Sequence, residues 1–357
     1  MQNNGPATPP TPTTPSTKGG TMTTTEGTTG TPAAAGGTTV PEPAPPRRRR
    51  SVPELAGLLV VLVVLFVFFA IKSPFFLGSD NILNILTAIA VTGIIAVPAT
   101  MLLVAGQVDL SVGSGAAFCG VLLATRVESL GLWAAVVVAL LAGLVIGLVN
   151  GFFVNIVNVN SLITTLGTLA VLRGLTQLMA NGQTAIVNDF ATLGTARPFL
   201  NIPLPVIIFA VIVVAGVLLM RFTTFGRGLY AIGANPVAAR LVGIRTKRVL
   251  MLTFLLSGLS VAVAGLILTS QLSAASPVAA TGLELTVVTA VVLGGASLAG
   301  GRGTIAGTVL GLVIIGVLNN GLVLLNVNSF WQDVARGTLL ILAVSFDQLR
   351  QRLGGAH

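Results

Sequence analysis

Chemistry-bearing residues are scarce in this 357-residue chain: one histidine, one cysteine and one tyrosine. The histidine is His357, at the C-terminal position, and Cys119 sits inside an apolar run. His/Cys metal sites, Ser-His-Asp triads and structural disulfides within the chain are thereby excluded. The only lysines are Lys18, Lys72 and Lys247, and none follows the glycine pattern of a phosphate-binding loop. ATP-driven work therefore needs another subunit. Charge is also sparse, at 8% of residues, against roughly 25% in ordinary soluble domains.

What the chain has instead is apolar surface: 54% of its residues are hydrophobic, and mean hydropathy is +0.95. This is the composition of an all-α integral membrane protein. The net charge of +9 would suggest nucleic acid in a soluble protein; here it speaks for the bilayer as partner, with no nucleic acid.

Residues 1–46 carry 14 threonines and 10 prolines and almost no large apolar side chain. They cannot bury enough surface to offset their ordering entropy, so a disordered cytoplasmic tail is expected. A basic juxtamembrane segment, 47–53, follows with Arg47 to Arg50. The next apolar run is too long, too far from the N-terminus and too rich in phenylalanine to be a signal peptide.

About 20 helical residues cross a bilayer core of about 30 Å. Ten segments approach that length: 54–71, 82–105, 110–128, 132–154, 161–181, 203–220, 249–270, 283–299, 304–325 and 330–346. The expected transmembrane domain is 54–348, with a cytoplasmic loop at 221–248 and a short tail at 349–357. With both termini inside, 14 of the 19 basic residues fall on the cytoplasmic side and 3 outside, as positive loops require. Trp133 and Trp331 fall near the outer boundaries. Residues 142–162 align without gaps to 310–330, matching at nine of 21 positions. A duplication would pair the fourth and ninth spans in opposite orientation, an inverted repeat; apolar low complexity is the alternative.

The 221–248 loop holds six basic residues and its own helix signals. Asn235 is a good N-cap, Pro236 suits the first turn, and Gly243 suits a left-handed C-terminal position. A two-turn helix is expected, with Val237, Leu241 and Val242 available to a partner. A positive-inside anchor on an ordinary loop is the plainer reading.

Ala238-Ala239-x3-Gly243 resembles the alanine-alanine-glycine part of the cytoplasmic signature of ABC importer permeases, with Val237 where many carry Glu. From about 54 to 350 the chain resembles the ribose-type permeases of bacterial carbohydrate ABC importers. The supporting stretches are Gly106–Ser114, the loop just described, Ser276-Pro277 with Gly282-Leu283-Glu284, Val291–Gly303 and Asn319–Leu322. Gln107 and Val108 replace the family's frequent Gly and Ile.

That resemblance implies a sugar-importing subunit in the bacterial inner membrane, working by alternating access as a pair of permease copies. A cytoplasmic ABC ATPase would bind ATP and Mg and dock on Gly233, Asn235, Pro236, Ala238, Ala239, Arg240 and Gly243. An extracytoplasmic binding protein would deliver the sugar, and this chain would bind no cofactor and catalyse no reaction. Related permeases carry branched-chain amino acids, nucleosides or an autoinducer sugar, and an ion-coupled secondary carrier is a further rival.

Candidate pathway or gate residues are Asp109, Asn150, Glu284, Asn319 and Asn320. Each has a structural alternative. Asp109 stands where a helix N-cap would sit, Glu284 lies near the outer end of the eighth span, and the asparagines can bridge helices as readily as bind sugar hydroxyls. Arg173 and Arg336 lie in spans, where Asp189 and Asp333 are nearby acids. The glycines of 294–303 suit close helix packing and a tight re-entrant turn rather than a nucleotide loop.

Overall fold

The computed structural model describes residues 54–187 and 190–354, with side chains over 56–187 and 190–345. The expected tail, the arginines at 47–50, Asp189, and the side chains of Arg350 and Arg352 lie outside these. Helices are α1 (Glu54–Lys72), α2 (Ser79–Val104), α3 (Val112–Leu130), α4 (Leu132–Asn155), α5 (Ser161–Met179), α6 (Thr192–Thr195) and α7 (Leu204–Phe222). They continue as α8 (Thr224–Ala234), α9 (Pro236–Leu241), α10 (Thr246–Leu272), α11 (Leu283–Leu293), α12 (Ile305–Leu324) and α13 (Ser329–Gly354). Two short strands, β1 (Ala185–Ile186) and β2 (Ala274–Ala275), pair antiparallel. They tie the α5–α7 connection to the α10–α11 connection.

Among the described residues six helices are long and apolar enough to cross a membrane: α2, α4, α5, α7, α10 and α12. The bundle is organised around α2 and α10, which are buried over 78% and 61% of their most apolar stretch, against 17% for α5 and α7. α10 packs on α4, α3 and α2; α2 packs also on α7, α12 and α11. Peripheral helices such as α1 and α4 leave Val60, Val64, Val137 and Leu141 exposed, as a lipid-facing surface requires.

Helices associate in lipid through close van der Waals contact, which small residues permit. One such close approach is between α4 and α10. A Cβ on Gly258 would strike the carbonyl of Gly143 and lie 2.8 Å from the Gly147 nitrogen. On the other side of the bundle, Gly321 of α12 makes room for the ring of Phe69 from α1, which packs on Phe76 with 5.8 Å between ring centroids.

Two helix junctions share one construction. Asn158 and Asn326 both adopt left-handed backbone, φ 64 and 55. Two residues on, the side-chain oxygens of Asn160 and Asn328 each accept a hydrogen bond from a backbone N–H, that of Leu162 and that of Phe330, both 2.9 Å. α5 and α13 begin at the serines between, Ser161 and Ser329.

The expected spans differ in three places. The eighth ends at Leu293, because Gly295, Gly300, Gly301 and Gly303 all take positive φ and turn the chain before α12. α13 continues to Gly354, past the expected end at 346. The loop 221–248 contains a second helix, α8, with Thr223 Oγ1 accepting from Gly226 N at its start.

Candidate functional site

Three groups of polar side chains stand out against the apolar bundle. The first is the α8–α9 unit. Asn235 Oδ1 accepts from the N–H groups of Val237 and Ala238, both at 3.0 Å, and Gly243 takes φ 85. The short helix is thus fixed at both ends by the residues its sequence reserves for those positions. Ala239 is 3% exposed and packs inward, whereas Val237, Leu241 and Val242 are 63%, 83% and 76% exposed. Arg240, Arg245, Lys247 and Arg248 are exposed beside them.

This unit is seated on the end of α2 and on the turn before α12. A Cβ on Gly233 would strike Val104 O, at the end of α2, and the backbone nitrogen of Gly301. Gly301 N itself donates to Val104 O at 2.8 Å. Tyr230 Oη donates to Gly303 O at 2.8 Å, and burial pushes its phenol pKa up, keeping it a donor. Gly233 and Tyr230 of α8, the end of α2 and the 294–303 turn therefore form one contact surface.

The second group is buried, where α2 gives way to α3. Asp109 Oδ1 accepts from Ser111 N at 3.0 Å and from Ser111 Oγ at 2.6 Å; its Oδ2 accepts from Ser257 Oγ of α10 at 2.8 Å. Ser111 Oγ accepts in turn from Asn150 Nδ2 of α4 at 2.9 Å, and Asn150 Oδ1 from Thr168 Oγ1 of α5 at 2.7 Å. Val108 N and Leu110 N donate to Ser161 Oγ and Thr165 Oγ1, at 3.2 and 3.1 Å. One carboxylate thereby ties the 105–111 segment to α10 directly and, through Ser111, to α4 and α5. Asp109 is not the N-cap of α3, which begins at Val112 with Ser111 in that position; its side chain instead closes a turn ahead of the helix.

The third group lies between α2 and α12. Asn81 and Asn320 exchange reciprocal side-chain hydrogen bonds at 3.0 and 2.8 Å. Arg336 of α13 donates through Nε to Asn319 Oδ1 and through a terminal nitrogen to Asp333 Oδ1, both at 3.1 Å. Asn319, Asn320 and Arg336 line a cavity of about 390 Å³.

The structure thus joins Asp109 to Asn150, places Asn319 and Asn320 together elsewhere, and leaves Glu284 apart from both. Glu284 Oε1 accepts from Gly282 N at 3.3 Å, and its Oε2 is buried without a hydrogen-bond partner beside Gly113 of α3. Arg173 meets backbone: it donates to the carbonyls of Pro277 and Ala279 at 2.7 and 3.1 Å, holding the segment before α11. Ser111, Thr168 and Ser257 escaped selection as site residues because single hydroxyls in apolar helices usually bond their own preceding turn. Asn84 and Thr92 escaped too, although with Ala88 they form a four-residue stripe that marks one helix face.

Comparison with known proteins adds the family. Residues 81–344 match the family model described as branched-chain amino acid transport system / permease component. The chain is 39% identical over 300 residues to the ribose import permease protein RbsC of Escherichia coli K12, covering 82% of this chain and 93% of that one. It is 41% identical over 300 residues to the L-arabinose transport system permease protein AraH of the same strain, covering 83% and 91%. A third relative there, the probable ABC transporter permease protein YphD, is 39% identical over 290 residues, covering 81% and 87%. No solved structure matches.

Proposed function

The chain belongs to this permease-component family, as a ribose-type carbohydrate permease in the bacterial inner membrane, and from that premise we propose that it carries a pentose or hexose inward by ATP-driven alternating access. The sugar arrives from an extracytoplasmic binding protein, and two copies of the chain form the pathway. A cytoplasmic ABC ATPase holds ATP and Mg²⁺, so this chain performs no catalysis. Ten segments cross the membrane with both termini cytoplasmic, the eighth as the short helix α11 continued by the 294–303 turn, and they form two inverted halves of five; the paired junctions at Asn158–Ser161 and Asn326–Ser329 support that reading.

The observation that carries the proposal is the α8–α9 unit, a doubly capped helix offering exposed apolar side chains while its other face sits on the end of α2. Displacement of α9 by the ATPase reaches Val104 and Gly301 through Gly233. From Val104 it passes into the 105–111 segment, which Asp109 fastens to α10. A rigid short helix transmits such a movement as a body.

The test is a permease carrying both Val237→Asp and Leu241→Asp. These positions are exposed, so membrane insertion and abundance are expected to match wild type. Co-purification with the ATPase is expected to fall at least tenfold, with loss of ATP-dependent sugar uptake in proteoliposomes. Wild-type coupling in this variant refutes the docking role, and uphill uptake by the chain without any ATPase refutes the ABC assignment. The family description also names branched-chain amino acids; competition by leucine rather than ribose or arabinose would move the proposal to that substrate.

A further inference from the structure

The cavity between α2, α11, α12 and α13 takes no part in the coupling route. Its volume of about 390 Å³ lies within the ~300–1,000 Å³ of small-molecule sites. α2 contributes Asn84, Ala88 and Thr92 from one face. At 1.5 Å per residue, Thr92 stands about 20 Å along α2 from its first residue, beyond the middle of a core about 30 Å thick. On the proposed topology the cavity therefore opens outside and reaches mid-membrane. Further along the same helices it is sealed: the hydroxyls of Thr100 in α2 and Thr308 in α12, both fully buried, are hydrogen-bonded at 2.7 Å.

The contrast with the larger groove is instructive. About 650 Å³ between α3, α4 and α5 is walled by side chains such as Phe118, Leu122, Val145 and Val171, which suits acyl chains. The smaller cavity is lined by residues with amides, two hydroxyls and a guanidinium, which are costly to face with hydrocarbon and are found where water or solute enters. Among the described residues the Asn84 amide, the Thr92 hydroxyl and the Asn319 amide nitrogen have no hydrogen-bond partner, and all three residues line the cavity. Arg336 is balanced by Asp333 at 3.1 Å, so the site offers no net charge to an anion. Ile85, Ile89 and Ile315 supply the apolar wall against which the C–H face of a sugar ring can lie.

We propose that this cavity is a recognition site for a neutral, polyhydroxylated solute of monosaccharide size in the outer half of the pathway, with Asn84, Thr92 and Asn319 as its hydrogen-bonding groups. This rests on the sugar-importer reading and adds where the sugar is held.

The experiment uses cells carrying the complete importer with Cys119→Ser. Uptake of a panel of labelled pentoses and hexoses, ribose and arabinose among them, is measured first in the parent, and its absence for all of them would refute the sugar reading, not the site alone. Asn84→Cys is then treated from outside with a membrane-impermeant, anionic methanethiosulfonate, with Val145→Cys, in the apolar groove, as control. Asn84→Cys is expected to react, at least fivefold more slowly when the transported sugar is supplied, and Val145→Cys is expected not to react. An unreactive Asn84→Cys, or a rate that the transported sugar leaves unchanged, overturns the site. As an independent arm, Asn84→Leu is expected to reduce uptake about tenfold at saturating binding protein, the scale of one lost hydrogen bond, while Asn84→Ser retains most of it. Equal uptake by Asn84→Leu and wild type, at equal abundance, also overturns the proposal.

Discussion

The junctions at Asn158–Ser161 and Asn326–Ser329 have the same four-residue sequence and the same local geometry, yet the helices that lead into them have opposite surroundings. α4 is clamped to α10 through Gly143, Gly147 and Gly258, and its Asn150 is fully buried and bonded at both ends of its amide. α12 carries Asn319 and Asn320 at the matching level, and there they line an open cavity. The difference teaches that a turn is set by its own few residues. Whether the polar groups one or two helical turns away lock the bundle or meet solvent is set by which helix lies opposite.

The strongest way to break that contrast is to separate α4 from α10. Gly258→Leu places a branched side chain where even a Cβ would collide with backbone. Overpacking costs roughly 1–3 kcal/mol and rises when backbone is the obstacle, so we expect a large fall in thermal midpoint and in detergent-extracted yield. A wild-type midpoint would show that the two helices can part freely.

Next in size is the matched pair Asn150→Leu and Asn319→Leu. The first removes both side-chain hydrogen bonds of a fully buried amide, leaving Ser111 bonded to Asp109 and Thr168 to the Thr164 carbonyl, and two such bonds together are worth about 1–3 kcal/mol. The second removes one partner from a half-exposed Arg336 that keeps Asp333, and less than about 1 kcal/mol is expected. Chemical denaturation of the purified permease reads both; equal losses would erase the distinction between the locked and open sides.

The smallest effects test the shared feature. Asn160→Ala and Asn328→Ala each remove one N-cap bond, worth about 1 kcal/mol. Hydrogen exchange over the first turns of α5 and α13 should rise by similar factors. A strongly unequal response would show that the junctions are alike only in outline.

Much of the fold was legible in the residues. Apolar runs of bilayer length coincide with α2, α4, α5, α7, α10 and α12, because every backbone group in hydrocarbon must be bonded internally and a continuous apolar helix is the direct solution. Asn235, Pro236 and Gly243 marked α9 because capping is a local matter. α8 was missed because Thr224–Ala234 carries three glycines, residues that weaken a helix by themselves; what stabilises it is its seat on Val104 and the 294–303 turn. The eighth span was drawn too long because its glycines are apolar by count and turn-forming by backbone.

The sequence by itself determined that this is a membrane protein with a single histidine and a single cysteine, too few for a His/Cys metal site, where its basic residues concentrate, and how its short helix and paired asparagine turns are built. Those properties rest on composition and on contacts within a few residues. Only the tertiary structure decided that Asp109 reaches Ser257 across 148 positions, that Asn150 is sealed while Asn319 faces a cavity, and that Glu284 stands alone. A hydroxyl, an amide or a carboxylate in an apolar helix reads the same whatever lies opposite, and what lies opposite is fixed by helix packing.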